Sequence, residues 1–421
     1  MLGFTFYAPT RVVFGKNTQN EVGELAKAYG AHKVLIHYGG KSAARSGLLD
    51  IIKLSLNAAG IEYAELGGVV PNPHLSKVRE GIELCKAEGV DFILAVGGGS
   101  VIDSSKAICY GLAEPEKDVW ELFEKKRGAK AFFPMGVVLT IAAAGSEMSN
   151  SCVITDEEHQ LKRAYNNDIA RPLFAIMNPD LTKTLPDYQT ESGCADIMMH
   201  TMERYFCNGG AMEITDGLAA ALIKTVMKNA LILHSDPENY EARAEVMWAS
   251  SLSHNGLTGC GSDGGDWACH RMEHELGGLF DVTHGAGLAA LWGSWARYVC
   301  RDCLPRFVKF AVDVMGVNPG DIVACGKLDR AVPQGDCTAD RLIAGLDEEE
   351  LIRIARAGIS AMEKFYRSIG MPTNMRELGV NPTDEQIKWM TESVAQACGD
   401  PFGSAKKLSR TDVEAIYRSA R

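Results

Sequence analysis

The chain has 421 residues, 46% hydrophobic and 23% charged, which suits two or at most three packed domains and excludes a disordered chain, a collagen or a disulfide-dense miniprotein. Lys+Arg 43 against Asp+Glu 54 leaves a formal charge of −11, and without a basic patch of useful length nucleic acid is not an expected partner. MLGFTFYAPTRVVFG lacks the pattern of a signal peptide and no run of about 18 apolar residues occurs, so the expectation is a cytoplasmic protein with no membrane partner.

In chain order, residues 3–7 are strand-like and could pair with a symmetry mate, which makes a homodimer the expected assembly. The run KVLIHYG reads as a strand, 46–59 as a helix, IEYAEL as a strand, 75–88 as a helix and DFILAVGGG as a strand, with later strands in GVVLT and PLFAIMN. Strand and helix alternating at this spacing imply a parallel sheet with helices on both faces. From about Asp187 the pattern turns to long amphipathic helices such as 216–234 and 241–253, which places a domain boundary near 188: an α/β domain over 1–188 and an all-α domain over 189–421. Residues 317–346 are rich in Gly, Pro, Asp and Cys and read as a surface excursion, with helix resuming at Asp347. The 12 cysteines form no paired framework, and the single CxxC at Cys300 and Cys303 has no second pair to complete a zinc ribbon.

Gly97, Gly98 and Gly99 stand where an apolar strand ends and a helix begins at about Ser100. Glycine allows close backbone approach, and free N–H groups with the helix dipole favour an anion, so this is a phosphate cradle with Asp103 in the first helical turn. It matches neither GxGxxG nor a Walker loop. The earlier turn offers Gly39, Gly40, Lys41, Ser42 and Arg45 with no carboxylate before Asp50. At the edge where an adenosine ribose lies in a doubly wound sheet, that favours a 2′-phosphate, hence NADP(H) over NAD.

His270, His274 and His284 fall within fifteen positions, and Asp196, His200 and Glu203 recur at i, i+4 and i+7 on one helical face. Two i, i+4 pairs plus His284 point to a divalent-metal site. His270, Glu273 and His274 also spell the HxxEH of inverted zinc peptidases, a rival that leaves the cradle, the Asp196/His200 pair and His284 without a role.

Taken with PTRVVFGK, YGGKSAARSG, VGGGSVIDSSKAI, LTIAAAGSEMS, NPDLTKTLP, CADIMMHTMERYF, GGDWACHRMEHELGGLFDVTHGAGLA and IGMPTNMRELGV, the sequence resembles the iron-containing (group III) alcohol dehydrogenase family over nearly its whole length. It looks most similar to the NADPH-dependent butanol dehydrogenase and aldehyde reductase branch. The resemblance implies a Rossmann-like nucleotide domain followed by an all-helical metal-binding domain, as in dehydroquinate synthase. It also implies metal ligands Asp196, His200, His270 and His284, and a catalytic His274 facing nicotinamide and substrate. The implied cofactor contacts are Gly97 to Ser100, Asp103, Thr140, Lys162 and Leu181, with Gly39, Gly40 and Ser42 matching the NADPH branch.

Ala144 and Ser149 depart from the family's usual Thr and Asn, so two cofactor hydrogen bonds are expected to be either missing or replaced by Ser146, Ser149 or Asn150. The implied reaction is hydride exchange between NADP(H) and a primary alcohol or aldehyde. A divalent ion polarises the substrate oxygen, Fe²⁺ by the family's name with Zn²⁺ equally suited to the donors. An NAD-dependent polyol dehydrogenase and a dehydroquinate-synthase-like lyase are the alternatives on the same scaffold.

Overall fold

The computed structural model describes residues 1–40, 42–324, 326–328 and 338–421. Its strands are β1 (Arg11–Phe14), β2 (Lys33–Tyr38), β3 (Glu62–Leu66), β4 (Phe92–Gly97), β5 (Met135–Leu139), β6 (Ser151–Asp156), β7 (Leu161–Asn166) and β8 (Phe174–Met177). Six of them form an all-parallel sheet in the order β1-β8-β5-β4-β2-β3, while β6 and β7 pair separately as an antiparallel hairpin.

The uninterrupted apolar run of β4 follows from burial on both sides. Phe92, Leu94 and Val96 point to one face, where they meet Val22 of α1 (Val22–Ala28) and, beyond the short α2 (Ser42–Arg45), Ile52 and Leu56 of α3 (Leu48–Ala58). Ile93 and Ala95 point to the other, against Val78 of α4 (Leu75–Glu88) and Ile102 and Ile108 of α5 (Gly99–Ala113). That second core runs on without a break into the helical half. Sequence spacing placed one helix over 46–59; Gly47, at φ 76°, splits off α2 before it.

After the short α6 (Trp120–Phe123) and the last sheet strand, the helices are α7 (Asp187–Tyr205), α8 (Glu213–Ser235), α9 (Tyr240–His254), α10 (Ala268–Phe280), α11 (His284–Val299) and α12 (Leu304–Lys309). They continue with α13 (Ala339–Gly345), α14 (Glu348–Ser368), α15 (Asp384–Cys398) and α16 (Arg410–Ala420). Among the described residues only α8 is long and apolar enough to cross a membrane by length and composition, and it packs between α7 and α9.

Two expectations change, and one element had no counterpart in the sequence reading. Within the single chain the stretch 3–7 pairs with no strand: Phe4, Phe6 and Tyr7 are exposed, and the Leu2 N–H just before it donates to Gly261 O at 3.0 Å. The excursion over 317–346 contains the turn Pro319–Asp321 and α13, while Cys325 and 329–337 lie outside the described residues. The β6–β7 hairpin went unread, because its half-buried alternation is weaker than the fully buried runs beside it; it lies against α5 and α10 and so links the two halves.

Candidate active site

A cavity of about 1350 Å³ opens above the carboxyl ends of the central strands, where ligands of doubly wound sheets bind. Gly97, Gly98, Gly99 and Ser100 form one wall, Gly39, Gly40 and Ser42 border it at the end of β2, and Thr140 borders it after β5. Lys41 lies outside the described residues. The cradle needs glycine on steric grounds: a Cβ on Gly98 would meet Ile141 at 2.7 Å.

Behind this wall lies a buried polar knot. Asp103 accepts from Ser146 Oγ at 2.5 Å and from the Val153 N–H at 2.9 Å, and burial raises its pKa against the pull of Lys106. Lys106 Nζ donates to the carbonyls of Ser146 (2.8 Å), Ser149 (3.0 Å) and Ser151 (2.8 Å), stitching that loop to α5. Ser146 and Ser149 therefore spend their hydroxyls within the protein, and Asn150 spends its amide, whose Nδ2 donates to Asp168 Oδ1 at 3.0 Å.

Opposite the cradle, α7 presents Asp196 and His200 one turn apart. Asp196 Oδ1 lies 3.3 Å from His200 Nδ1, 3.7 Å from His270 Nε2 on α10 and 3.8 Å from His284 Nε2 at the start of α11. Asp196, His270 and His284 each bring a ligand atom within 4.8 Å of the others. Asp196 Oδ1, His200 Nδ1 and His270 Nε2 are buried and make no hydrogen bond. Convergent lone pairs without donors are costly unless a cation satisfies them, so the donor set fits a divalent ion. Close packing brings them together: a Cβ on Gly285 would strike Ser192 O at 2.0 Å, so only glycine lets the start of α11 lie against α7.

Two glutamates orient the rings. Glu203 Oε1 accepts from the His270 N–H at 2.9 Å and pairs with His270 Nδ1 at 2.9 Å, which turns Nε2 toward Asp196. Burial opposes charge on His270, yet Asp196 and Glu203 raise its pKa to about 9. His284 Nδ1 hydrogen-bonds Glu273, whose Oε2 lies 3.2 Å from Lys162 Nζ. Burial works against that carboxylate, but His284 and Lys162 hold it far below the usual range. Glu273, His274 and His284 also approach within 4.8 Å of one another, but Glu273 is already neutralised, which removes the base that a peptidase reading requires. His274 borders the cavity with its ring centroid 5.9 Å from that of His284; burial, with Lys162 nearby, keeps it neutral.

Two expected cofactor contacts sit differently. Lys162 reaches the cavity, but its ammonium is paired with Glu273 across the two halves. Leu181 does not border the cavity; it packs on the core beneath α1 and α3, since the turn Pro179–Thr182 carries it past the sheet end.

Sequence reasoning missed Lys106, Arg204, His254 and Trp267. The His254 ring lies against that of His200, centroids 3.9 Å apart and tilted by 49°, and Trp267, at φ 63° just before α10, lies 5.4 Å from His270. Arg204 follows His200 by one turn, a spacing that could have flagged it. His254, at the end of α9, bears no spacing relation to the other histidines.

Residues 9–179 match the iron-containing alcohol dehydrogenase family, and 190–421 match its C-terminal domain family. The chain is 36% identical over 421 residues to NADH-dependent butanol dehydrogenase A of Clostridium acetobutylicum and 32% identical over 429 residues to NADPH-dependent aldehyde reductase YqhD of Escherichia coli, each covered in full as is this chain. The crystal structure of NADH-dependent butanol dehydrogenase A from Thermotoga maritima superposes with a TM-score of 0.89 at 36% identity, covering 100% of this chain and 99% of that one. With both halves matched end to end, the chain belongs to the iron-containing alcohol dehydrogenase family.

Proposed function

We propose that this alcohol dehydrogenase interconverts aldehydes and primary alcohols with NADP(H), using a divalent ion held by Asp196, His200, His270 and His284. The observation that carries the reading is the set of buried, unpaired donor atoms on Asp196, His200 and His270, facing a glycine cradle across one cavity. When bound, the ion supplies Lewis acidity at the substrate oxygen and the nicotinamide supplies or takes the hydride.

The chain's own residues do the rest. Glu203 and Glu273 hold the Nδ1 protons of His270 and His284 and leave each Nε2 lone pair toward the centre. Gly97 to Ser100 offer N–H groups and the α5 dipole to a pyrophosphate. His274, neutral, offers the substrate a hydrogen-bonding ring rather than a standing acid. The NADP(H) preference rests on the end of β2, where Gly39, Gly40 and Ser42 border the cavity and the sequence offers no carboxylate before Asp50 to accept from a ribose 2′-hydroxyl.

After reconstitution with Fe²⁺ or Zn²⁺, butanal is expected to drive NADPH oxidation, with kcat/KM for NADPH above that for NADH. Absence of aldehyde-dependent turnover with either nucleotide rejects the reading, whereas a preference for NADH rejects only the cofactor assignment.

A further inference from the structure

The cavity is bordered by several cations, and they are not equivalent. Lys162 is paired with Glu273 and Arg163 with Glu275, Lys125 Nζ donates to Ala397 O at 2.8 Å, and Arg271, half-buried, lies over the Phe402 ring at 5.6 Å. Arg204 is only 8% exposed, yet among the described residues no carboxylate lies within ion-pair distance of it. Its Nη1 donates to His200 O at 2.8 Å and Ser253 O at 3.0 Å, and its guanidinium lies over the Trp267 ring at 4.5 Å.

The other edge of the fork, Nε and Nη2, makes no hydrogen bond among the described residues, and neither atom is sealed in the interior as Arg243 Nη2 is. An arginine stays protonated even here, where burial lowers its pKa to about 10. Desolvating such a charge against carbonyls and an aromatic face alone is unfavourable, and the free edge has the geometry that takes a carboxylate bidentately.

The surroundings fix the position of this charge relative to the reacting centre. His200 and Arg204 are successive-turn neighbours on α7, with Cβ atoms about 6 Å apart by helix geometry. Trp267 bridges the gap, its ring 6.3 Å from His200 and 5.9 Å from His254, and the His254 ring lies 3.9 Å from that of His200. Trp267 and His254 both border the cavity at this end, beside the metal-ligand cluster and the cation.

We infer that this end of the cavity is an anion subsite, so that the aldehydes the enzyme prefers carry a carboxylate a short methylene chain away from the carbonyl. The inference rests on the dehydrogenase reading above: the carbonyl faces the Asp196, His200, His270 and His284 centre while the Nε and Nη2 edge of Arg204 takes the carboxylate. Trp267 and His254 cover the methylenes between the two ends.

The test compares succinate semialdehyde with butanal, which has the same number of carbons and no charge, using the metal-reconstituted full-length enzyme and NADPH or NADH. The expected result is a kcat/KM ratio of acid to butanal of about ten or more, arising from KM, that falls about tenfold or more in R204Q and less in R204K. Calorimetric titration of the metal-free protein with γ-hydroxybutyrate is expected to show saturable binding that R204Q weakens, with no comparable signal for butanol.

Because the readout is a ratio, partial loss of folded protein cancels, and R204K serves if R204Q does not fold. A wild-type ratio at or below one, or a ratio and a binding isotherm that neither variant moves, overturns the subsite while leaving butanal turnover and the dehydrogenase reading intact. No turnover of either aldehyde with either nucleotide defeats the parent reading and the subsite with it.

Discussion

Glu203 touches no substrate position, yet one of its oxygens receives both the backbone N–H and Nδ1 of His270 at 2.9 Å. Replacing Glu203 by Ala frees that ring to rotate and removes the carboxylate that raises its basicity, so Zn²⁺ affinity is expected to fall about 10- to 100-fold. Competition against a chromophoric chelator measures this, and an unchanged dissociation constant contradicts the orienting role.

A second histidine, far from the metal-ligand cluster, governs acid stability. His37 is fully buried on β2, with Nδ1 2.9 Å from Leu66 O and Nε2 2.9 Å from Ser104 Oγ, and desolvation lowers its pKa from 6.5 to about 4. Between those values the unfolded chain binds the proton more readily, so His37 leaves stability intact above pH 6.5 and removes it as pH falls toward 4. The loss attributable to His37 is about 2 kcal/mol between pH 7 and pH 5. Urea midpoints at the two values, with H37Q flattening the difference, check the sign and size.

The start of α5 shows how an element is built around a ligand it must approach. Gly98 leaves its backbone within reach because Ile141 occupies the space a Cβ would need, at 2.7 Å. In Gly98→Ala the loop must shift away from its neighbour, and the N–H groups of the cradle shift with it. The dissociation constant for NADPH is expected to rise about tenfold, about 1.4 kcal/mol, with far-ultraviolet circular dichroism unchanged; NADPH fluorescence titration reads it, and wild-type affinity in the variant would falsify the cradle. The opposing wall obeys the same logic, since Gly285 lets α11 touch α7 at Ser192 and thereby sets His284 beside Asp196.

The sheet half and the helical half are joined by charge as well as by apolar packing. Lys162 on β7 and Glu273 on α10 are 5% and 0% exposed and 3.2 Å apart. Lys162→Met strands a buried carboxylate with His284 as its remaining hydrogen-bond partner, and a loss of about 3 kcal/mol or more is expected, read as a lower Tm by calorimetry. An unchanged Tm would show that the pair adds nothing to the joint. Beyond the single chain, the exposed Phe4, Phe6 and Tyr7 at the amino terminus remain available to a second copy, and we propose a homodimer. Light scattering should give twice the chain mass, falling toward one chain when residues 1–8 are removed, and a monomeric full-length protein rejects the assembly.

Much of this protein was legible in its sequence because the relevant signals are local. A buried parallel strand needs an unbroken apolar run, a cradle needs glycines at a strand end, and residues four apart on a helix share a face, so β2, β4, α4, Gly97 to Gly99 and the Asp196/His200 pair could be read directly. Spacing was silent wherever partners come from distant segments. It could not show that Lys162 turns to Glu273, that Leu181 packs beneath α1 and α3, that Glu203 sets the His270 ring, or that Arg204, His254 and Trp267 share one end of the cavity. Those relations exist only once α7, α9 and α10 have packed, because side-chain contacts between helices depend on crossing geometry and steric fit that no periodicity along one chain encodes.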